Sequence, residues 1–169
     1  MIAGCGGPEA QAGAGPYSAD IARAQKSATS DFERTALADG AVSREEYTEA
    51  VQRYVKCLTD RGFDMDALDS GYGFFTYRHV DQPGFDAAEP QCREGTVEFL
   101  EPLYTGMLIN PARRAFPDLV AECLVRKKLA PSGYTGQRFE ADGKAEYRNA
   151  PYKPDDPQVQ ACLANPSLQ

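Results

Sequence analysis

Residues 43–63 read SREEYTEAVQRYVKCLTDRGF, and the helix they specify is the frame onto which the rest of the chain packs. Ser43 followed three residues later by Glu46 forms a capping box: hydroxyl and carboxylate each take a backbone N–H that the first helical turn leaves without a partner. Tyr47, Ala50, Val51, Tyr54, Val55 and Leu58 recur at spacings of three and four, which a 3.6-residue repeat turns into one apolar stripe. Gly62 stops the helix, because glycine enters the left-handed C′ conformation without steric cost. Cys57 lies beside Leu58 on the border of that stripe, a place for a cystine or for an inert core thiol.

Upstream, Ser18 is in position to cap a first helix over residues 19–37, with Ile21, Ala24, Ala28, Phe32, Thr35 and Ala36 along one side. That face is thin and needs a neighbour. Asp39-Gly40 breaks the helix and returns the chain into the Ser43 helix as a helical hairpin. The stretch from Asp39 to Tyr47 resembles the second half of an EF-hand loop, but Thr35 and Leu37 stand where its first carboxylate ligands belong. Too few oxygens remain for calcium, and the segment reads as a turn plus a capping box.

Downstream, residues 71–80, GYGFFTYRHV, are aromatic and β-branched and predict a strand. Tyr72, Phe74 and Thr76 point one way, and Phe75, Tyr77 and His79 the other. A helix starting at Asp86 or Ala88 follows, with Pro90 in its first turn and with Cys92, Thr96, Phe99, Leu100 and Leu103 on its face. From Asp118 a further helix carries Leu119, Val120, Cys123 and Leu124. Residues 131–154 show no clear period apart from a short hairpin expected across Ala141-Asp142-Gly143-Lys144. Asp155 or Asp156 caps a last short helix through Val159, Cys162 and Leu163. The fold class is therefore mainly α with a small β element (α+β).

The chain holds five cysteines. With Cys5 set aside, Cys57, Cys92, Cys123 and Cys162 permit three pairings, and chain order favours Cys57–Cys92 with Cys123–Cys162. Under that pairing the halves look alike. Each has a Cys-Leu helix, then Ser-Gly-Tyr (Ser70-Gly71-Tyr72 and Ser132-Gly133-Tyr134), then the second cysteine, which suggests two similar disulfide-stapled halves. Disulfides persist outside the cytosol. Thiol redox chemistry is the competing use, but no Cys-x-x-Cys occurs and His79 is the one histidine in the chain.

A formal net charge of −7, with no basic cluster beyond Arg126-Lys127-Lys128, argues against binding to nucleic acid through its phosphates. There is no Gly-x-Ser-x-Gly elbow, no phosphate-binding loop and no dinucleotide fingerprint, so no cofactor is expected. No Cys/His cluster has zinc-ligand spacing, so no metal is expected either. The paired carboxylates Glu45-Glu46 and Asp155-Asp156 sit at helix starts, where caps account for them.

Ile2-Ala3-Gly4-Cys5 matches the lipobox pattern of an aliphatic residue, two small residues and a cysteine, without the basic and apolar segments that precede it in a full signal. Gly6-Gly7-Pro8 through Gly13-Ala14-Gly15-Pro16 then has the composition of a tether. On these residues the chain resembles a bacterial lipoprotein, and with the Tyr54-Val55-Lys56-Cys57-Leu58 helix that follows the tether it resembles the small uncharacterised lipoproteins of high-GC Gram-positive bacteria. The resemblance implies a diacylglycerol thioether on Cys5, a tether over residues 1–17 and a globular domain over residues 18–169 on the extracytoplasmic face of the cell membrane. The expected role is non-enzymatic binding of a small ligand or an envelope protein. Tyr72, Phe74, Tyr77 and Tyr134 are the candidate contacts, since tyrosine offers broad amphipathic area at low entropy cost. The alternative is a small envelope hydrolase using His79 with Asp81, Asp86 or Glu89 in a polar pocket.

Overall fold

The computed structural model describes residues 15–168. The chain enters through α1 (Ser18–Ser27) and α2 (Asp31–Ala36) and turns back into α3 (Arg44–Asp60). A hairpin of β1 (Met65–Asp69) and β2 (Phe75–His79) follows, then α4 (Phe85–Arg93) and α5 (Leu100–Ile109). The second half contains α6 (Phe116–Arg126), α7 (Gly136–Lys144) and α8 (Pro157–Ala164). The Ile2–Cys5 lipobox and most of the tether lie outside the described residues.

The capping box of α3 forms as its sequence dictates: Glu46 N–H donates to Ser43 Oγ at 3.1 Å, and Ser43 N–H donates to Glu46 Oε2 at 2.8 Å. Tyr47, Ala50, Val51, Tyr54 and Leu58 are buried, Val55 is half-buried, and Gly62 closes the helix at φ 88°.

The expected helix over residues 19–37 is instead two helices, because Ser30-x-x-Glu33 repeats the capping grammar inside it. Ser30 Oγ accepts from Glu33 N–H at 3.1 Å, and Glu33 Oε2 accepts from Thr29 N–H at 3.0 Å. The Ser30 hydroxyl also donates to the Gly95 carbonyl at 2.7 Å, tying the break to the turn after α4. Tyr17 precedes α1 as its N-cap without a side-chain cap, so Ser18 does not serve that role. Although assigned to the tether, Tyr17 is buried, and its hydroxyl donates to the Asn110 carbonyl at 2.9 Å.

The strand expected from residue 71 starts at Phe75. Gly71 and Gly73 take positive φ (76° and 92°) in the hairpin turn, and Arg44 and the Tyr104 hydroxyl both donate to the Gly73 carbonyl. Strand β1, Met-Asp-Ala-Leu-Asp, carries little β propensity and is held by its antiparallel register, Met65↔His79 through Asp69↔Phe75. Helix α4 begins at Phe85 rather than at Asp86 or Ala88, since Gly84 at φ 89° turns the chain and Phe85 buries its ring edge-on to Phe63, 5.6 Å between centroids. Pro90 consequently lies inside the helix and not in its first turn. Helix α6 likewise begins at Phe116, two residues before Asp118.

The hairpin expected across residues 141–144 is the end of α7. Thr135 caps that helix, Phe139 packs into the second core, and buried Asp142 is held by Tyr134 and Arg138, so these anchors override the Asp-Gly turn signal.

Two cystines close as chain order indicates: Cys57–Cys92 joins α3 to α4 and Cys123–Cys162 joins α6 to α8, with Cα separations of 5.6 and 5.7 Å. Each staples its own apolar cluster, one built on α1–α5 and the hairpin, the other on α6–α8. Both Ser-Gly-Tyr segments form turns with glycine at positive φ, but a β-hairpin fills the first half between its cystine helices where α7 fills the second. Buried Asn165 joins the halves by donating to the Tyr72 carbonyl at 2.9 Å, and the Ser167 hydroxyl donates to the Ile109 carbonyl at 2.7 Å.

Where α7 meets α6, a Cβ on Gly136 would lie 2.1 Å from Asp118 Oδ1 and 2.7 Å from the Asp118 backbone nitrogen. Gly136→Ala is expected to destabilise by about 1–3 kcal/mol through overpacking, measured as a lower urea midpoint at unchanged m-value. Glu33 is fully buried and its Oε1 has no hydrogen-bond partner among the described residues. Burial raises its carboxyl pKa, the Thr29 and Ser30 backbone N–H groups oppose the rise, and Glu98 adds to it. A carboxyl raised on folding stabilises fully below its unfolded pKa and loses that contribution as pH climbs through the folded value. Relative to Glu33→Gln, the native chain should therefore lose stability as pH rises above about 4. Parallel denaturation curves for the two proteins at increasing pH check this.

Candidate functional site

Phe85, Glu89 and Arg93 recur every fourth residue and so form one row along α4, while Ala88 and Cys92 turn into the core. On β2, Tyr77 and His79 share a face. The Cys57–Cys92 bridge holds α3 against α4 one helical turn beyond Tyr54. These constraints converge on a cleft of about 350 Å³ lined by Tyr54, Met65, Tyr77, His79, Phe85, Asp86, Glu89 and Arg93.

The aromatic wall is ordered by ring contacts. Tyr54 and Tyr77 meet edge to face, 5.3 Å between centroids, and His79 stacks on Phe85 at 4.3 Å with the planes 8° apart. A polar chain ties them together. The Tyr54 hydroxyl donates to Glu89 Oε1 at 3.1 Å and the Tyr77 hydroxyl donates to Glu101 Oε1 at 2.8 Å. The Tyr47 hydroxyl also donates to Glu101, at 3.3 Å, while accepting from Phe75 N–H at 3.0 Å. Arg93 stands between the two carboxylates, 3.5 Å from Glu89 and 3.8 Å from Glu101.

The electrostatic consequence is that these phenols hold their protons. Burial raises the Tyr77 and Tyr54 pKa values, with the Glu101 charge adding to the first and the Glu89 charge to the second. Tyr47 is pushed up to about 12, again chiefly by burial. All three phenols therefore act as hydrogen-bond donors to carboxylates at ordinary pH.

Of the four tyrosine and phenylalanine contacts expected from sequence, Tyr77 alone lines this cleft. Tyr72 and Phe74 are half-buried in the hairpin turn, where Asn165 engages the Tyr72 backbone. Tyr134 belongs to the second half, donating to Asp142 Oδ2 at 2.7 Å and lying 3.1 Å, hydroxyl to hydroxyl, from Tyr152. His79 does share the cleft with Asp86 and Glu89, whereas Asp81 is not among its lining residues. His79 has no hydrogen bond to any carboxylate among the described residues. Glu46 is part of its capping box and Asp156 accepts from Gln158 N–H at 2.8 Å, so each acidic pair contributes a cap.

Sequence reasoning passed over Phe85, Arg93 and Glu101. The i, i+4 row Phe85-Glu89-Arg93 was a readable signal for the first two. Glu101 carried none, since its role depends on α5 packing under the hairpin.

Among the described residues, no group of three or more His, Cys, Asp or Glu side chains is arranged to hold a metal ion, and no helix is long and apolar enough to cross a membrane. Comparison with protein-family models, with curated proteins and with solved structures returns no match.

Because the folded chain keeps phenol protons that the unfolded chain releases above about pH 10, stability should fall as pH rises past that value. Tyr77→Phe is expected to lose about 1–3 kcal/mol at neutral pH by stripping Glu101 of a donor, and to show a shallower alkaline decline than the native protein. Ultraviolet phenolate titration together with urea denaturation at several alkaline pH values reads both effects.

Proposed function

We propose that this chain is the extracytoplasmic domain of a lipid-anchored binding protein, tethered through Cys5 and presenting the cleft between α3, β2 and α4 to a small ligand or an envelope partner. The observation that carries the binding role is the make-up of that cleft: aromatic side chains held in place by Glu89, Arg93 and Glu101, in a space that stays partly open to solvent. Such preorganisation lowers the ordering cost of binding. The two cystines support an oxidising compartment, and the Gly/Ala/Pro-rich stretch after Cys5 supports a tether. Two acyl chains on one cysteine would give stable membrane attachment where a single chain does not.

The cleft also bears on the hydrolase alternative, since it contains His79, Asp86 and Glu89. A histidine base is usually oriented by a hydrogen bond on its second ring nitrogen. Here the ring is oriented by stacking on Phe85, which suits a binding wall better than a proton relay.

Two measurements test the proposal on full-length protein produced with a lipoprotein signal in a bacterial host. Intact-mass analysis of the membrane fraction should find a diacylglycerol thioether at Cys5, and Cys5→Ser should move the protein to the soluble fraction. Unmodified, soluble native protein would overturn the anchor. Amide hydrogen exchange in the envelope should be slower across residues 75–93 than in the purified domain, and equal exchange would overturn the binding role of this face.

A further inference from the structure

Resting on the reading of this cleft as a binding site, we infer that its ligand is a small organic cation with a primary ammonium or guanidinium head. The charges in and beside the cleft wall carry this assignment. The Tyr54 and Tyr77 hydroxyl protons are both committed, to Glu89 and to Glu101, so those oxygens have only lone pairs left to offer. Asp86 lines the cleft and has no hydrogen bond or ion pair among the described residues. Arg93, the one permanent cation in the wall, is flanked by Glu89 and Glu101. Three carboxylates, Asp86, Glu89 and Glu101, thus stand against one guanidinium, which leaves the cleft an excess of negative charge.

The apolar part of the wall favours the same ligand. Tyr54, Tyr77 and Phe85 line the space, and a cation near an aromatic face is attracted by the ring quadrupole. Met65, buried, also lines the cleft and suits a short aliphatic stem. At about 350 Å³ the cleft is near the small end of ligand sites, which fits a head group with a few methylenes. An anion would meet Asp86 and Glu89 with Arg93 already engaged, and a neutral polyol would leave Asp86 without a counter-charge. The formal net charge of −7 on the chain also favours the approach of cations at low salt.

The test is a nitrogen-edited NMR titration of the folded, oxidised chain at low ionic strength with 1,4-diaminobutane, and with 1,4-butanediol and succinate as neutral and anionic probes of similar length. Saturable shifts confined to residues 77–79 and 85–93 are expected with the diamine alone. Asp86→Asn and Glu89→Gln should each weaken binding about tenfold, the loss of one charge-assisted hydrogen bond. The Glu89→Gln carbonyl can still accept from Tyr54, and Asp86 is exposed, so both variants should keep the native spectrum. Saturation by succinate or butanediol without the diamine would overturn the cation assignment while leaving the site a binding site. Diamine shifts that fail to saturate, or that the two variants leave unchanged, would overturn it as diffuse association with an acidic surface. Silence from all three probes would also overturn it, and envelope hydrogen exchange would then decide the binding role separately.

Discussion

The Cys57–Cys92 bridge is the constraint on which the first half of this molecule depends. It fixes α3 against α4 across a sequence separation of 35 residues, and the intervening chain must fold into the space it encloses. By the chain-entropy model such a loop contributes about 3–4 kcal/mol, a large share of a typical domain stability of about 5–15 kcal/mol. The hairpin inside the loop is only two strands, too little to stand alone in water, and it is held by Phe75 and Tyr77, which pack on Tyr47 and Tyr54 of α3. The same bridge holds α3 and α4 where Tyr54 reaches Glu89, two of the residues that line the cleft.

Polar groups finish what the cystine starts. Tyr47 accepts a backbone N–H from β2 and donates to Glu101 on α5, which welds helix, strand and helix through one oxygen. Its ring stacks on Tyr104 at 4.2 Å, and the Tyr104 hydroxyl in turn holds the hairpin turn. Carboxylates at this depth require partners, and here phenols and one guanidinium supply them. The bracing bonds also decide which protons remain free on the cleft wall, since the Tyr54 and Tyr77 hydroxyls are already spent on carboxylates.

The second half repeats the device with different contents. Cys123–Cys162 clamps α6 to α8 over a separation of 39 residues, and α7 occupies the loop where the first half holds a hairpin. Its inner polar group is Asp142, held by Tyr134 and Arg138, again a carboxylate satisfied by a phenol and a guanidinium. Asn165, buried at the end of α8, binds the hairpin turn of the first half and makes the two stapled units one structure.

What the sequence by itself determined was local and periodic. Ser43 with Glu46, the stripe from Tyr47 to Leu58, Gly62 and the order of the four cysteines were legible because each acts over a few residues or through an even count. The mainly helical class followed from them. The tertiary structure decided the rest, for reasons of partnership at long range. Strand β1 exists because β2 lies beside it, α7 overrides its Asp-Gly pair because Asp142 finds Tyr134 and Arg138, and Ser30 divides the first helix with Gly95 as its second partner. Of the candidate site, His79, Tyr77 and the α4 carboxylates could be singled out from the chain. Their union with Tyr54, Arg93 and Glu101 depends on the bridge, the register and the seating of α5, which no short-range pattern encodes.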